Sequence, residues 1–425
     1  MPGTPQDLQD FTDVLKDVYL PVRRKAFPIS TPMLAAAKKA SPNSVEYAGN
    51  DLIFDVKTGR RGGFISSSKG FLPYSKTARE KKGRLSIART YAVVNVDGLA
   101  LKASAGDKAS YIPAAKKVVE DATEQWRLEQ QRILHGDSLG VRAVIGTAST
   151  TTSIIVEDPY GIDGAGPGNL HLVVGDDIAV LNPTGATLRG KAQITDISLS
   201  GDNATLTLGS AISGMQAADV VVTAVPTAVD ANDTSWGAEP HGIKSIVDVE
   251  NAFATFEGIS DSRWVAQKMT SSTIDERIVM RLLNTIRNRA GVEWRTNPAA
   301  MLLVTTTGIW QAYGDSLLGM RRFDAPTMTL NGGFTAVQVA GAALLDDPWA
   351  PRGRMYAIHG PDTVFVDLMD FGKLSFQDSP QWRMAQNQDA YEAVFGSYWN
   401  YGAYIRASHG VISGITDTVS YSPVY

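Results

Sequence analysis

Residues 111–136 constrain the folds open to this chain more than any other stretch. They open on Ser110-Tyr111-Ile112-Pro113, and proline suits a first helical turn because the N–H it lacks would have no intrahelical partner there. Apolar residues recur at Ala115, Val118, Val119, Ala122, Trp126 and Ile133. Lys116, Lys117, Glu120, Asp121, Glu124, Arg127 and Glu129 fill the opposite face. Gly136 is expected to end the helix in the left-handed conformation. Such a helix runs roughly 34 Å at about 1.5 Å per residue, enough to cross a whole domain. Its apolar stripe requires a surface to lie on.

The second constraint precedes it. Residues 52–56 and 85–96 are rich in β-branched and aromatic side chains and are expected as strands. Between them, residues 57–84 carry nine basic residues against the single acid Glu80, a net charge of +8. The whole chain is at −4, which leaves −12 on everything else. A connection this long between two strands is normally functional or disordered. A protruding basic loop on an acidic body suits docking onto another copy of the same chain. The residues expected at inter-subunit contacts are Arg60, Arg61, Lys69, Lys76, Arg79, Lys81, Lys82 and Arg84.

Several function classes fall away on composition. The chain has no cysteine, so it offers no disulfide framework, thiolate metal site or thiol nucleophile. No apolar run approaches the ~20 residues of a bilayer span, and the N-terminus lacks a secretory pattern, so no membrane partner is expected. A net charge of −4 does not favour nucleic-acid recognition. Catalytic signatures are missing too. His135-Gly136-Asp137-Ser138-Leu139-Gly140 contains the letters of the GDSL hydrolases, but a charged helix precedes it where a buried strand is needed. None of the five histidines sits in the Asp-x-x-His block that would supply the base. The histidines are scattered and read as structural or surface residues, and Asp346-Asp347 reads as a turn cap. No enzyme activity, cofactor or metal is expected.

Along the rest of the chain, residues 8–20 form an amphipathic helix halted by Pro21, and residues 22–50 are expected to be irregular. Residues 150–230 are poor in charge, with short alternating runs at 170–174, 178–181, 192–197, 204–208 and 220–225. Turn signals such as Asn182-Pro183-Thr184-Gly185 separate the runs, and a small β-barrel or sandwich inserted into the main fold is expected. From Trp236 the pattern is α/β. A helix over 273–288 has Thr273 and Glu276 as a capping box and stops before Gly291. A buried strand follows at 299–305, then a short helix at 308–313 and strands at 334–339, 355–358 and 363–368. An aromatic β-rich segment at 391–415 closes the chain.

This order of elements resembles the major capsid proteins of tailed bacteriophages, the Hong-Kong-97-like fold. Local sequence is similar as well: Leu134-His135-Gly136-Asp137 after the helix, Pro240-His241-Gly242-Ile243, Gly258-Ile259-Ser260, the run 300–313, and Tyr404-Ile405-Arg406-Ala407-Ser408-His409-Gly410-Val411-Ile412. The resemblance covers nearly all of the chain except 150–230. It implies an α+β fold with an N-terminal arm (1–50), an extended hairpin loop (51–97) and a peripheral domain with a spine helix (98–149). The inserted β domain (150–230), a peripheral/axial connection (231–289), an axial domain (290–395) and a C-terminal strand returning to the peripheral domain (396–425) would follow.

The function it implies is self-assembly, as hexamers and pentamers, into an icosahedral shell enclosing double-stranded DNA without sequence-specific binding. Assembly would take place in the host bacterial cytoplasm, and the product would be the virion. A separate scaffolding protein, a portal and a decoration protein are the implied partners. An encapsulin-like nanocompartment shell of the same fold is the alternative.

Overall fold

The computed structural model describes residues 31–40, 51–57, 59, 62–64, 66–74, 77, 80–99, 114–147, 149–227, 229–247, 264–318, 327–329, 335–339, 341–373, 382–384 and 389–417. The helix expected at 8–20 and most of the N-terminal arm lie outside the described residues. Within the part expected to be irregular, Pro32–Ala40 forms a helix, α1. Its proline sits at the first turn, where no N–H is missed. Met33, Leu34 and Ala37 are buried, and the Leu34 N–H donates to Gln131 Oε1 at 2.8 Å.

Strands β1 (Asp51–Lys57) and β2 (Glu80–Ser86) pair antiparallel. The strand expected over 85–96 is in fact two: the chain leaves β2 at Ser86 and starts β3 (Ala88–Asp97), which belongs to a different sheet. Composition did not separate them, because both halves are equally β-prone. The long helix α2 (Ala114–His135) lays Val118, Val119 and Ala122 on β3 around Val94 and Phe395. Gly136 does not end it in the left-handed conformation; its N–H closes a tight turn onto the Ile133 carbonyl at 2.9 Å, and positive φ appears instead at Ser138 and Gly140.

The inserted β segment is a closed barrel. Strands β4 (Val141–Ile145), β5 (Ser153–Glu157), β6 (Asp177–Leu181), β7 (Leu188–Ser200), β8 (Asn203–Leu208) and β9 (Val220–Thr223) close in the order β4-β5-β8-β7-β6-β9. Alternate residues such as Ile145, Ile154, Val156, Val180, Leu206 and Val221 fill its interior. Two expectations change. The barrel begins at Val141, ahead of residue 150, and residues 170–174 form turns, with Leu170 and Leu172 buried as plugs.

After α3 (Ile243–Val247) come β10 (Gln267–Thr270), α4 (Glu276–Ala290), β11 (Met301–Thr305), α5 (Thr307–Leu318), β12 (Thr327–Thr329), β13 (Thr335–Val339), β14 (Ala342–Asp346), β15 (Arg354–His359), β16 (Thr363–Lys373), β17 (Arg383–Met384), β18 (Ala390–Ala403) and β19 (Gly410–Ser413). Helix α4 is capped by Asp275, whose carboxylate accepts from the Ile278 N–H, so the Thr273 capping box is not used. Gly291, at φ 76°, ends the helix as expected.

The order β10-β19-β15-β11-β14-β13-β12 makes a mixed seven-stranded sheet, with β11 buried along its whole length. β18 carries β3 on one side and β16 and β17 on the other, and straddles the boundary expected at residue 395. β19 lies in the seven-stranded sheet, so the closing segment 391–415 serves two sheets. One large core joins α1, α2, α3, β11, β15, β16 and β18 through Met33, Ile133, Ile246, Val304, Tyr356, Val364 and Trp399.

Candidate functional site

The β1–β2 ladder runs from Asp51 opposite Ser86 to Lys57 opposite Glu80. Seven residue pairs span roughly 23 Å at about 3.3 Å per residue. Its root is anchored. Leu85 is 1% exposed within the large core, and Phe54 meets Tyr404 edge-on with ring centroids 5.3 Å apart. Gly83, opposite Phe54, makes room for that ring: a Cβ there would sit 2.5 Å from Phe54 Cζ. Beyond the ladder the side chains lose their cover. Ser67 Oγ accepts from the N–H groups of Lys69 (3.3 Å) and Phe71 (2.9 Å), folding the tip into a compact turn. Around that turn Phe64, Phe71, Leu72 and Tyr74 are 91%, 74%, 93% and 93% exposed. Four large apolar side chains held in water on one short segment is not how a free-standing surface is built.

Of the expected contact residues, Lys69 lies in the tip turn and Lys81, Lys82 and Arg84 on β2, all four exposed. Side chains alternate along a strand, so Lys82 and Arg84 share one face while Lys81 shares the other with Gly83 and Leu85. Arg84 lies 3.9 Å from Asp51, a surface pairing worth at most about 1 kcal/mol. Arg60, Arg61, Lys76 and Arg79 lie outside the described residues. The structure thus places the described basic residues on a protruding element and adds an apolar tip that counting charges did not reveal.

At the hairpin's root a buried polar network ties the elements together. Asn400 Nδ2 donates to the carbonyl of Ser86, the last residue of β2, at 2.6 Å, while its Oδ1 accepts from the His241 N–H at 2.8 Å. Next to His241, Gly242 sits against the end of α2, where a Cβ would run into the carbonyls of Ile133, Leu134 and Gly136. Asp347, fully buried, accepts from Gln131 Nε2 and lies 2.9 Å from His135 Nε2, while its other oxygen caps the Trp349 N–H at 2.9 Å. Asp347 is therefore a turn cap, as expected, and also a link between the seven-stranded sheet and α2.

Arg132 reaches Glu129 (2.7 Å) and Glu239 (2.5 Å), and Arg142 of β4 reaches Glu129 (2.7 Å), Thr223 Oγ1 and the His171 carbonyl. Lys244 of α3 pairs with Asp137 at 2.7 Å. Burial alone would raise the Glu129 carboxyl, but attraction to Arg132 and Arg142 outweighs it and holds the group at about 2. Burial pushes Glu239 up, against the pull of Arg132. Burial also lowers His241 to about 4 and His409 to about 3, and His171 well below its ordinary range. Arg132, Arg142 and Lys244 each find a carboxylate partner within the chain. The network links the hairpin, α2 and the barrel through direct hydrogen bonds and ion pairs.

No family model and no curated protein matches this chain. Among solved structures it is similar to the capsid asymmetric unit of Cyanophage A-1(L), with a TM-score of 0.53 at 13% identity over 95% of this chain and 98% of that one. It also aligns with the capsid of a native GTA particle (TM-score 0.48, 9% identity, 95% and 97% covered) and with the holo-SrpI encapsulin complex of Synechococcus elongatus PCC 7942 (0.46, 9%, 100% and 100%). Those two superpose too loosely to carry an argument. The first covers nearly the full length of both chains, and the mixed helix-and-strand fold of this protein is that of a phage capsid subunit, the Hong-Kong-97-like fold.

Proposed function

We propose that this chain is the major capsid protein of a tailed bacteriophage, a subunit that assembles with copies of itself into an icosahedral shell around double-stranded DNA. The observation that carries the reading is the hairpin. Its root is locked into the core while Phe64, Phe71, Leu72 and Tyr74 stay 74–93% exposed at its far end. Those side chains gain burial, and the basic residues beside them gain opposite charge, when another subunit is present. Repeating such contacts through closed symmetry turns individually weak interfaces into a stable particle. The work of the protein on this reading is assembly, not chemistry. A scaffolding protein, a portal and a decoration protein are the partners such a shell would use, and assembly would take place in the host cytoplasm. A body that is acidic outside the hairpin suits enclosing DNA without gripping its phosphates.

Deleting residues 59–83 tests this. The remaining chain is expected to stay folded and soluble but to form no particles in negative-stain electron microscopy, whereas the full chain forms closed shells. Full-length protein that stays monomeric at all concentrations, or shells of normal size from the deletion, would remove the reading. Nuclease-protected double-stranded DNA within shells recovered from infected cells is expected; a cargo protein in its place would point to the nanocompartment alternative.

A further inference from the structure

Helix α4 turns its apolar side, Val279, Leu282, Leu283 and Ile286, onto the seven-stranded sheet, so closely that a Cβ on Gly410 of β19 would sit 2.9 Å from Leu282 Cδ1. Its other side faces solvent and is basic. Residues 277–292 contain four arginines and no acid. Arg287 is taken by Glu293 at 2.6 Å. Arg277, Arg281 and Arg289 are exposed and have no hydrogen-bond or ion-pair partner among the described residues. At about 100° and about 1.5 Å per residue, the three occupy an arc of about 120° over about 18 Å of helix. Arg277 and Arg281, four residues apart, repel each other across one turn.

The opposite charge is concentrated in and around the barrel. Residues 143–243 hold eleven acids against two bases, Arg189 and Lys191, a net charge of −9. Both bases are engaged within the chain, Arg189 with Asp219 at 3.1 Å and Lys191 with the carbonyls of Val225, Asp230 and Asp233. Antiparallel closure gathers carboxylates at one rim: Glu157 ends β5, Asp163 lies in the loop after it, Asp177 opens β6, and Asp196 lies in the last part of β7. None of these four has a cation partner among the described residues. Val173 and Val174, 44% and 54% exposed, lead into Asp177 at the same rim.

Resting on the proposed function for the presence of a second copy, we infer that the arginine face of α4 on one copy docks against the acidic barrel rim of another. Each surface carries the sign the other lacks, and each is left unneutralised by its own chain. The barrel of the same chain does not serve α4, because Arg277, Arg281 and Arg289 are without partners where they stand. The contact joins two different patches, so it runs head to tail and closes when repeated around a ring.

Charge reversal and its repair test the contact. Arg277→Glu, Arg281→Glu and Arg289→Glu reverse the helix face in one variant. Asp163→Lys, Asp177→Lys and Asp196→Lys reverse the rim in a second, and a third carries all six changes. Association of dispersed subunits is read by sedimentation velocity at low salt, and particles by negative stain. Each reversal alone is expected to weaken association about tenfold, and the six-change variant to recover to within about threefold of the parent, because both surfaces have changed sign together. Melting curves accompany each variant. Where a reversal unfolds the subunit, glutamine at the same positions replaces it, with about threefold weakening expected and no weakening overturning the contact. Association unchanged by the reversals, or a six-change variant no better than either of them, also overturns it. So does loss of duplex-DNA binding in the helix variant with association intact, which would make the face a phosphate surface. Particles unaffected by either reversal overturn the contact and leave the shell reading intact. Association that the six changes restore, in the absence of particles, supports the contact and removes the shell.

Discussion

At the residue scale, the strongest constraints come from positions whose roles are invisible in isolation. Gly242 has an ordinary backbone conformation and is needed only because three carbonyls from the end of α2 occupy the space of a Cβ. Gly242→Ala is expected to cost about 3 kcal/mol, since backbone has to move where a flexible side chain could have yielded; denaturant unfolding against the parent measures it. The buried histidines make a pH prediction whose sign is fixed by burial. His241 and His409 are held to about 4 and about 3, and His171 also well below its ordinary range, all chiefly by desolvation. Asp137 opposes this at His241 and Asp362 at His409. The unfolded chain takes up protons near pH 6.5 that the native state refuses. Stability is therefore full above that pH and falls on acidification by about 1.4 kcal/mol per pH unit for each such histidine. Glu129 extends the loss from its ordinary range down to about 2, and Glu239, pushed up, works against it. Unfolding free energies at pH 7, 6 and 5 check the slope; a flat profile would mean that these rings are hydrated. The sequence marked all five histidines as structural or surface residues but showed none of these partners, because Asn400, His241 and Ser86 meet only after three separate segments have folded.

At the element scale the hairpin has two ends with opposite energetics. Leu85, at 1% exposure, is expected to cost about 3 kcal/mol of subunit stability when changed to alanine. Phe64→Ala, at 91% exposure, is expected to leave subunit melting unchanged and to lower the yield of particles. Melting curves of the dispersed subunit, set beside particle yield by sedimentation, separate the two; particle yield unaffected by Phe64→Ala would detach the tip from assembly. Much of this architecture was legible. Helix α2, helix α4 with its Gly291 stop, and most strands of the barrel carry their periodicity in the sequence. The errors share one cause. Residues 170–174 alternate like a strand but plug the fold as turns, and residues 85–96 read as one strand but split at Ile87 because each half finds a different partner. Local pattern fixes which side chains want burial; it does not say which neighbour will provide it. The apolar tip went unremarked for a related reason, since Phe64, Phe71, Leu72 and Tyr74 would elsewhere simply have been core.

For the whole molecule, the distribution of charge matters more than its sum. The hairpin segment at +8 and the remainder at −12 attract only between copies or across a fold-back, and the exposed tip argues against fold-back. Two forces then compete to drive association, and salt distinguishes them. Charge attraction between exposed groups weakens as the screening length drops from about 10 Å at 0.1 M to about 3 Å at 1 M salt. Apolar burial is strengthened by excluded salts such as sulfate. If opposite charge leads, the protein concentration needed for particles should rise several-fold from about 0.1 to about 1 M ionic strength in sodium chloride, and ammonium sulfate at equal ionic strength should not rescue it fully. If the tip aromatics lead, sulfate should lower that threshold below its low-salt value. Light scattering across the two salt series decides between them. The charge-led outcome is expected, because a segment at +8 meets a remainder at −12; replacing Lys81, Lys82 and Arg84 together by glutamine removes three exposed positive charges while leaving the tip apolar. In that triple variant the chloride dependence should shrink, and a dependence unchanged from the parent would transfer the driving force to Phe64, Phe71, Leu72 and Tyr74.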